Sequence, residues 1–258
     1  MKAVILAGGR GTRIAEEGNL RPKPMVTIGG MPILWHIMKT YEHYGVNDFI
    51  ICLGYRGYVI KEYFANYALH AAEAVTFDGR SGEMTLHDDR FEPWRVTLVD
   101  TGIDTQTGGR IKRIGDWVKD EEMFCLTYGD GLINADIGKT IDFHKSHPGH
   151  ATVTTVSPPG RFGVVHTDAE NKVSSFSEKP ATEGNRINGG FFVLSSQILD
   201  YIEEDTDIWE REPLESLTKE GQLHAYHHEG FWQPMDTMRE RDMLQQMWDS
   251  GNAPWKVW

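Results

Sequence analysis

Short apolar runs alternate with longer amphipathic runs over the first 70 residues, and this alternation constrains the fold more than any other feature of the chain. Residues 2–7 and Asp48–Leu53 are short and mostly apolar. Residues 32–44 repeat apolar side chains at helical spacing, and Gly57–Tyr67 does so again. The order strand, helix, strand, helix predicts an α/β fold in which helices cover the faces of a parallel sheet.

The alternation continues toward the C-terminus, although residues 70–95 are less regular. Apolar runs predict further strands at Arg95–Val99, Met123–Thr127, Ala151–Val156, Val173–Phe176, Gly190–Leu194 and Leu223–His227. Helical patterns lie near 110–119, 137–147, 196–203, 211–219 and 236–249. Because the chain shows no repeat, low-complexity tract or Ser/Gly linker, we expect a single domain over residues 1–258.

Charge and cysteine content exclude several classes of protein. The formal net charge of −12 argues against unspecific nucleic-acid binding, which depends on basic surfaces. The chain has no apolar run near 18 residues, so no membrane span is expected. Its two cysteines, Cys52 and Cys125, both lie in apolar runs, which predicts buried thiols and a reducing, cytoplasmic location.

A glycine-rich loop follows the first strand directly. Gly8, Gly9 and Gly11 would let backbone N–H groups approach a phosphate closely. The loop lacks the third glycine of a dinucleotide-binding turn and the Gly-Lys-Ser/Thr ending of a P-loop. Arg13 can hold phosphate oxygens with its planar fork, and Lys23 lies in a segment stiffened by two flanking prolines.

The pairing of Gly8-Gly9-x-Gly11-Thr12-Arg13 with Pro22-Lys23-Pro24 resembles the signature of the sugar-nucleotide pyrophosphorylases. The resemblance implies a Rossmann-like, mostly parallel mixed sheet flanked by helices, the glycosyltransferase-A-like nucleotidyltransferase fold. It also implies that Arg13 and Lys23 are catalytic and hold the triphosphate of the nucleotide. The loop that wraps the nucleotide would then comprise Leu6, Ala7, Gly8, Gly9, Gly11, Thr12 and Arg13.

Two carboxylates are candidate ligands of Mg²⁺. Asp130 follows the strand Met123–Thr127 and is preceded by Gly129, and the carboxyl ends of strands are where open α/β sheets bind ligands. Magnesium prefers one or two carboxylates together with phosphate oxygens and waters. Asp236 could equally be the N-cap of the helix predicted there. The resemblance favours the metal role, because a late aspartate completes the metal site in that family.

The resemblance also implies a sugar-phosphate site. Ser177-Glu178-Lys179-Pro180 matches a family segment in which the lysine is catalytic and contacts the sugar phosphate, while the glutamate contacts sugar hydroxyls. Asn188 matches a further hydroxyl contact, and Gly163 matches a glycine that backs the sugar.

Further motifs resemble the subgroup of this family that transfers a cytidylyl group from CTP to glucose 1-phosphate. They include Glu92-Pro93-Trp94 and the segment 230–237. In that subgroup the segment Thr107, Gly108, Gly109 and Arg110 lies near the base, and Arg110 could face an acceptor of cytosine. The same chemistry with UTP or dTTP stays open, as does a non-catalytic nucleotide sensor. The resemblance implies a homo-oligomer, because the subgroup assembles as homo-oligomers. The aromatic tail from Trp255 to Trp258 would be costly to expose, which suggests an interface.

Overall fold

The computed structural model describes residues 1–11, 21–87, 91–157, 164–167, 172–177 and 186–258. Its strands are β1 (Lys2–Leu6), β2 (Thr27–Ile28), β3 (Met31–Pro32), β4 (Asp48–Leu53), β5 (Val75–Phe77), β6 (Met84–Leu86), β7 (Arg95–Asp100), β8 (Met123–Tyr128), β9 (Gly131–Ile133), β10 (Ala151–Val156), β11 (Val164–Thr167), β12 (Val173–Ser177), β13 (Ile187–Ser195), β14 (Leu223–His228) and β15 (Trp232–Pro234). Its α-helices are α1 (Ile33–His43), α2 (Gly57–Ala65), α3 (Tyr67–Ala71), α4 (Thr107–Arg113), α5 (Gly115–Val118), α6 (Ile137–Lys145), α7 (Glu212–Lys219) and α8 (Met238–Asp249), and 3-10 helices span Lys23–Met25 and Ser196–Tyr201.

Seven strands form the central sheet in the order β14-β10-β13-β8-β1-β4-β7. Strands β8, β1, β4 and β7 run parallel to one another, whereas β13 is antiparallel to both of its neighbours. The predicted α/β class and mostly parallel mixed sheet are therefore confirmed. The carboxyl ends of the parallel strands meet at one edge of the sheet, where ligands bind in open α/β folds.

Each face of the sheet has its own hydrophobic core. Side chains alternate across a strand, so Ala3 and Ile5 pack on the side of α1, and Val4 and Leu6 pack on the opposite side. The cysteines follow this alternation, with Cys125 in the first core and Cys52 in the second. Both thiols are buried and unpaired, as predicted, and burial raises the pKa of each to about 12.

Several predicted helices differ from the observed ones. The helix expected near 110–119 is two short helices, α4 and α5, and α4 begins earlier, at Thr107. The helix expected over Gly57–Tyr67 ends at Ala65 and is followed by α3. The segment expected as a helix near 196–203 is a 3-10 helix. No helix within the described residues is long and apolar enough to cross a membrane.

The aromatic tail packs against its own chain, which corrects the expectation that it marks an interface. Trp255 is fully buried. Its ring lies near Phe231, His36 and Trp248, with ring centroids 5.6, 6.1 and 6.4 Å away. Since intramolecular packing already covers Trp255, its burial does not require a second copy.

A group of histidines lies at the end of the sheet opposite the carboxyl ends of the parallel strands. We call it the histidine cluster, and it comprises His144, His147, His150 and His224. The rings of His147 and His224 stack with centroids 3.7 Å apart. Thr152 Oγ1 lies 2.9 Å from His144 Nδ1 and 2.8 Å from His147 Nε2. The hydroxyl has a single hydrogen, so it can donate to at most one of these ring nitrogens, and the other nitrogen must carry a hydrogen and donate to Oγ1.

Candidate active site

A cavity of about 360 Å³ opens at the carboxyl ends of β1 and β8. The glycine-rich loop after β1 forms one wall, and the residues before and at the start of α4 form another. Its lining comprises Leu6, Ala7, Gly8, Gly9, Gly11, Lys23, Pro24, Thr105, Gln106, Thr107, Arg110, Tyr128, Gly129, Asp130 and Asp236. This is the edge at which the sequence predicted a ligand site.

Most of the residues predicted to bind a nucleotide line this cavity. They are Leu6, Ala7, Gly8, Gly9, Gly11, Lys23, Thr107, Arg110, Gly129 and Asp130. Thr12 and Arg13 lie outside the described residues. The structure therefore assembles the predicted glycine loop, the proline-flanked lysine and the first carboxylate around one space.

Gly108 and Gly109 are the exceptions, because they face away from the cavity. A Cβ added at Gly108 would lie 2.7 Å from the carbonyl oxygen of Asp207, and one added at Gly109 would lie 2.4 Å from that of Asp205. The N–H groups of both glycines donate to the Asp207 carbonyl. These glycines thus allow the segment 203–210 to dock on the start of α4, and neither of them lines the cavity.

Lys23 bridges the two candidate metal ligands. Its Nζ lies 2.5 Å from Asp130 Oδ2 and 2.7 Å from Asp236 Oδ1. Burial lowers the pKa of the Lys23 ammonium, but the two carboxylates outweigh burial and hold that pKa above its ordinary value. The carboxylates come from distant parts of the sequence, and a single cation holds them together.

A small two-stranded sheet brings Asp236 to Asp130. β15 pairs antiparallel with β9, so Pro234 lies opposite Gly131. The Met235 N–H then donates to the carbonyl of Asp130 at 2.9 Å. The alternative role of Asp236 as a helix cap is wrong, because Thr237 caps α8 and forms a capping box with Glu240. The Asp236 side chain is left to contact Lys23.

Arg110 is buried among loop ends beneath the cavity. Its Nη1 donates to Leu53 O at 2.9 Å, Thr101 Oγ1 at 2.7 Å and Gly102 O at 2.8 Å, and its Nη2 donates to Gly8 O at 3.2 Å. The guanidinium therefore ties together the loops that follow β1, β4 and β7. We expected Arg110 to face the base, and the structure shows it engaged by four oxygen atoms of the protein.

A second cavity of about 160 Å³ adjoins the first. Asn188, predicted to contact a sugar, lines it, and Tyr128, Asp130 and Asp236 line both cavities. Its remaining lining residues are Thr127, Gly131, Gly189, Gly190, Phe191, Trp232 and Pro234. The other predicted sugar-phosphate residues, Gly163, Glu178 and Lys179, lie outside the described residues. The two cavities meet at the pair of carboxylates.

Sequence reasoning missed several lining residues, of which Tyr128 is the most informative. Its hydroxyl donates to Glu210, and Thr107 Oγ1 donates to Glu210 Oε2 at 2.6 Å. Burial, followed by the adjacent Glu210, raises the pKa of the Tyr128 phenol. Its position at the carboxyl end of β8, two residues before Asp130, was a usable signal. Glu210 gave no such signal, because its contacts arise from tertiary structure.

Comparisons with known proteins agree with this geometry. A family model described as nucleotidyl transferase matches residues 2–239. The chain is 57% identical to a glucose-1-phosphate cytidylyltransferase of Salmonella typhi over the whole of both chains, and 46% identical to a probable glucose-1-phosphate cytidylyltransferase of Bacillus subtilis, again over both full lengths. The crystal structure of HddC from Yersinia pseudotuberculosis has the same fold, with a TM-score of 0.69 at 24% identity over 96% of this chain and 99% of that one. The chain belongs to the nucleotidyl transferase family.

Proposed function

We propose that this protein transfers the cytidylyl group of CTP to α-D-glucose 1-phosphate and releases CDP-glucose and pyrophosphate. The observation that carries the proposal is the meeting of two cavities at Asp130 and Asp236, beside Lys23. The full-length identity to curated glucose-1-phosphate cytidylyltransferases supports the choice of both substrates. We further propose that residues 1–258 act as one domain, that the enzyme is cytoplasmic and that it forms a homo-oligomer.

The larger cavity would hold the nucleotide, and the smaller one the sugar. Glycines 8, 9 and 11 line the larger cavity, and Gly9 leaves more than 4 Å clear around the position of an added Cβ. A triphosphate could therefore approach the backbone N–H groups of the loop closely. In the smaller cavity Asn188 and neighbouring backbone offer hydrogen-bonding groups suited to sugar hydroxyls.

The reaction would be an in-line displacement at the α-phosphorus of CTP. A phosphate oxygen of glucose 1-phosphate forms the new bond, and the bond from the α-phosphorus to the bridging oxygen of pyrophosphate breaks. Because the nucleophile is already an anion, no general base is needed, and catalysis rests on positioning and charge neutralisation. We assign Lys23 to the α-phosphate, Arg13 to the leaving pyrophosphate and Lys179 to the sugar phosphate.

The described residues fit a divalent cation, and we propose Mg²⁺. Two carboxylates from separate elements converge on one cation, the Lys23 ammonium. No group of three or more His, Cys, Asp or Glu side chains within the described part of the chain could hold an ion by itself. That matches magnesium, which takes one or two carboxylates and completes its shell with waters and phosphates. When bound, it would neutralise charge on the phosphates.

Base selection would rest on the segment from Thr105 to Thr107. These residues line the larger cavity next to Arg110, whose guanidinium fixes the adjoining loops. Polar groups in a closed pocket can distinguish the amino group of cytosine from the carbonyl of uracil, since a mismatch leaves one of them unpaired. A direct contact between Arg110 and the base stays part of this proposal.

The first test measures pyrophosphate release with glucose 1-phosphate and Mg²⁺, comparing CTP, UTP, dTTP and ATP. We expect turnover largely confined to CTP. Preference for UTP or dTTP would retain the reaction and reject the base assignment, and no turnover with any nucleotide would favour a sensor.

A second test replaces the shared carboxylate. Asp236→Asn should lower kcat about 100-fold or more, because it removes an interaction at the charge that develops during transfer. Asp142→Asn, at an exposed position on α6, is the matched control and should leave kcat unchanged. Comparable loss in both variants would reject the assignment of Asp236.

A further inference from the structure

The position of Lys23 suggests a role beyond contact with a phosphate. Its ammonium lies on one oxygen of each carboxylate that would hold the metal, at 2.5 Å from Asp130 and 2.7 Å from Asp236. The Lys23 side chain is 12% exposed, compared with 33% and 29% for the two aspartates. The ammonium therefore occupies the inner side of the carboxylate pair, while the carboxylates retain contact with solvent.

The backbone around Lys23 directs the side chain to this place. Lys23 is the first residue of a 3-10 helix and lies between Pro22 and Pro24, so proline restricts the backbone on both sides of it. Pro24 is buried close to Gly129, where an added Cβ would lie 2.9 Å from its ring. Because Gly129 immediately precedes Asp130, this packing fixes the lysine relative to one of the carboxylates.

We propose that Lys23 is the internal counter-cation of the metal site and exchanges places with the divalent ion. The ion would take the two oxygens that face each other, Asp130 Oδ2 and Asp236 Oδ1, and it can do so only when the ammonium leaves them. Lys23 also lines the larger cavity, so the phosphates of a bound nucleotide give the displaced ammonium a new partner. This inference rests on the proposed function. It adds that nucleotide binding at that site strengthens metal binding.

Electrostatics favours the exchange. Two carboxylates held side by side repel each other unless a cation lies between them. An ammonium and a divalent ion on the same oxygen atoms also repel each other, so the two cations compete for Asp130 Oδ2 and Asp236 Oδ1. Removal of the ammonium should therefore raise the affinity of the nucleotide-free protein for a metal ion, although the same change removes a contact that the reaction needs.

The test uses Mn²⁺ as the probe and electron paramagnetic resonance of free Mn²⁺ as the readout, with no nucleotide present. Lys23→Met keeps a side chain of similar length without charge. We expect Lys23→Met to bind Mn²⁺ about tenfold or more tightly than the wild type, the scale of one hydrogen-bonded charge contact. The melting temperature should also rise more with Mn²⁺ in Lys23→Met than in the wild type, since a ligand that binds the folded state stabilises it.

Two variants control for general effects of charge. Lys39→Met removes a lysine whose ammonium lies 2.8 Å from Glu42 and 4.0 Å from Glu92, outside the two cavities, and should leave Mn²⁺ affinity unchanged. Adding Asp236→Asn to Lys23→Met should abolish the gain in affinity. An equal gain in Lys39→Met, or retention of the gain in the double variant, would overturn the exchange.

Unchanged or weaker Mn²⁺ binding by Lys23→Met would also overturn the inference, because it would mean that the metal and the ammonium occupy different positions. This failure is distinguishable from failure of the proposed function. The wild type would still release pyrophosphate from CTP and glucose 1-phosphate if only the exchange were wrong. Absence of that activity in the wild type would instead reject the function.

Discussion

Replacement of Arg110 by lysine tests whether its guanidinium holds the loops around the larger cavity. Arg110 is 5% exposed, and its donors reach the loops after three parallel strands. Glycine is needed where these loops pass the side chain, since a Cβ added at Gly8 or Gly54 would lie 2.1 or 2.6 Å from Nη1. Lysine keeps the charge but lacks the planar fork that reaches separate acceptors at once.

The expected loss in the free energy of unfolding follows from the contacts that lysine cannot keep. Lysine is one bond shorter than arginine, so its ammonium would lie near the position of the guanidinium carbon, farther from all four acceptors. From there it would lose the Gly8 carbonyl and at least one acceptor among Leu53, Thr101 and Gly102. Hydrogen bonds from charged groups contribute about 1.5–3 kcal/mol each. The carbonyls of Gly8 and Leu53 also accept from backbone N–H groups, which limits the penalty. We therefore expect a loss of about 2–4 kcal/mol in the free energy of unfolding.

Thermal unfolding of Arg110→Lys should show a melting temperature lower by about 4–16 °C, given about 2–4 °C per kcal/mol for a chain of this size. Arg113→Lys is the matched control on the same helix. The Arg113 side chain is 43% exposed and pairs with Asp205, so its replacement should change the melting temperature little. A melting temperature within about 1 °C of the wild type for Arg110→Lys would refute the idea that the Arg110 guanidinium holds these loops together.

Other expectations follow from close approaches and from titration. Gly109→Ala should lower the melting temperature, because the new Cβ would lie 2.4 Å from the Asp205 carbonyl oxygen. Gly9→Ala should preserve stability, since its Cβ meets nothing within 4 Å, but it should raise the KM for CTP. An unchanged KM would argue against close passage of the nucleotide. Burial is the main cause, and the neighbouring histidines the second, of a pKa of about 4 for His144. Below pH 6.5 the unfolded chain therefore binds a proton at this residue that the folded chain does not bind. The free energy of unfolding should therefore fall as the pH is lowered from 6.5 to 4. Denaturant titrations at several pH values should show that His144→Gln reduces the slope of this fall by up to about 1.4 kcal/mol per pH unit. An unaltered slope would show that other groups cause the fall.

Local patterns made much of the fold and part of the site predictable. Apolar runs such as residues 2–7 and Met123–Thr127 are continuous because both faces of a parallel strand are buried. The glycine loop and Asp130 follow such runs directly, so their place at the carboxyl edge follows from the direction of the strands. Asn188 needed the resemblance, because it lies within an antiparallel strand and its spacing alone predicts no contact.

Some features of the site could not be predicted from local sequence patterns. The glycine pair Gly108-Gly109 is suited equally to a ligand or to another segment of chain, and the carbonyls of Asp205 and Asp207 fill that space. Asp236 precedes a helix and suited an N-cap, but the next residue, Thr237, is the N-cap of α8 and forms the capping box. The partners of Gly108 and Gly109 lie about 100 residues away, beyond the reach of local patterns, whereas the cap of α8 was decided within the first turn of the helix.

The charge balance at the site supports a need for cations beyond those that line the two cavities. Both substrates are polyanions, and bringing them together in a cavity of low dielectric is unfavourable without nearby cations. Among the described residues that line the two cavities, the Lys and Arg side chains are Lys23 and Arg110, and oxygen atoms of the protein already engage both. We propose that further positive charge comes from a metal ion on Asp130 and Asp236 and from side chains that the resemblance assigns to the two substrates. Arg13 and Lys179 are the cations that the resemblance places there, so removing either should impair catalysis even though Lys23 remains.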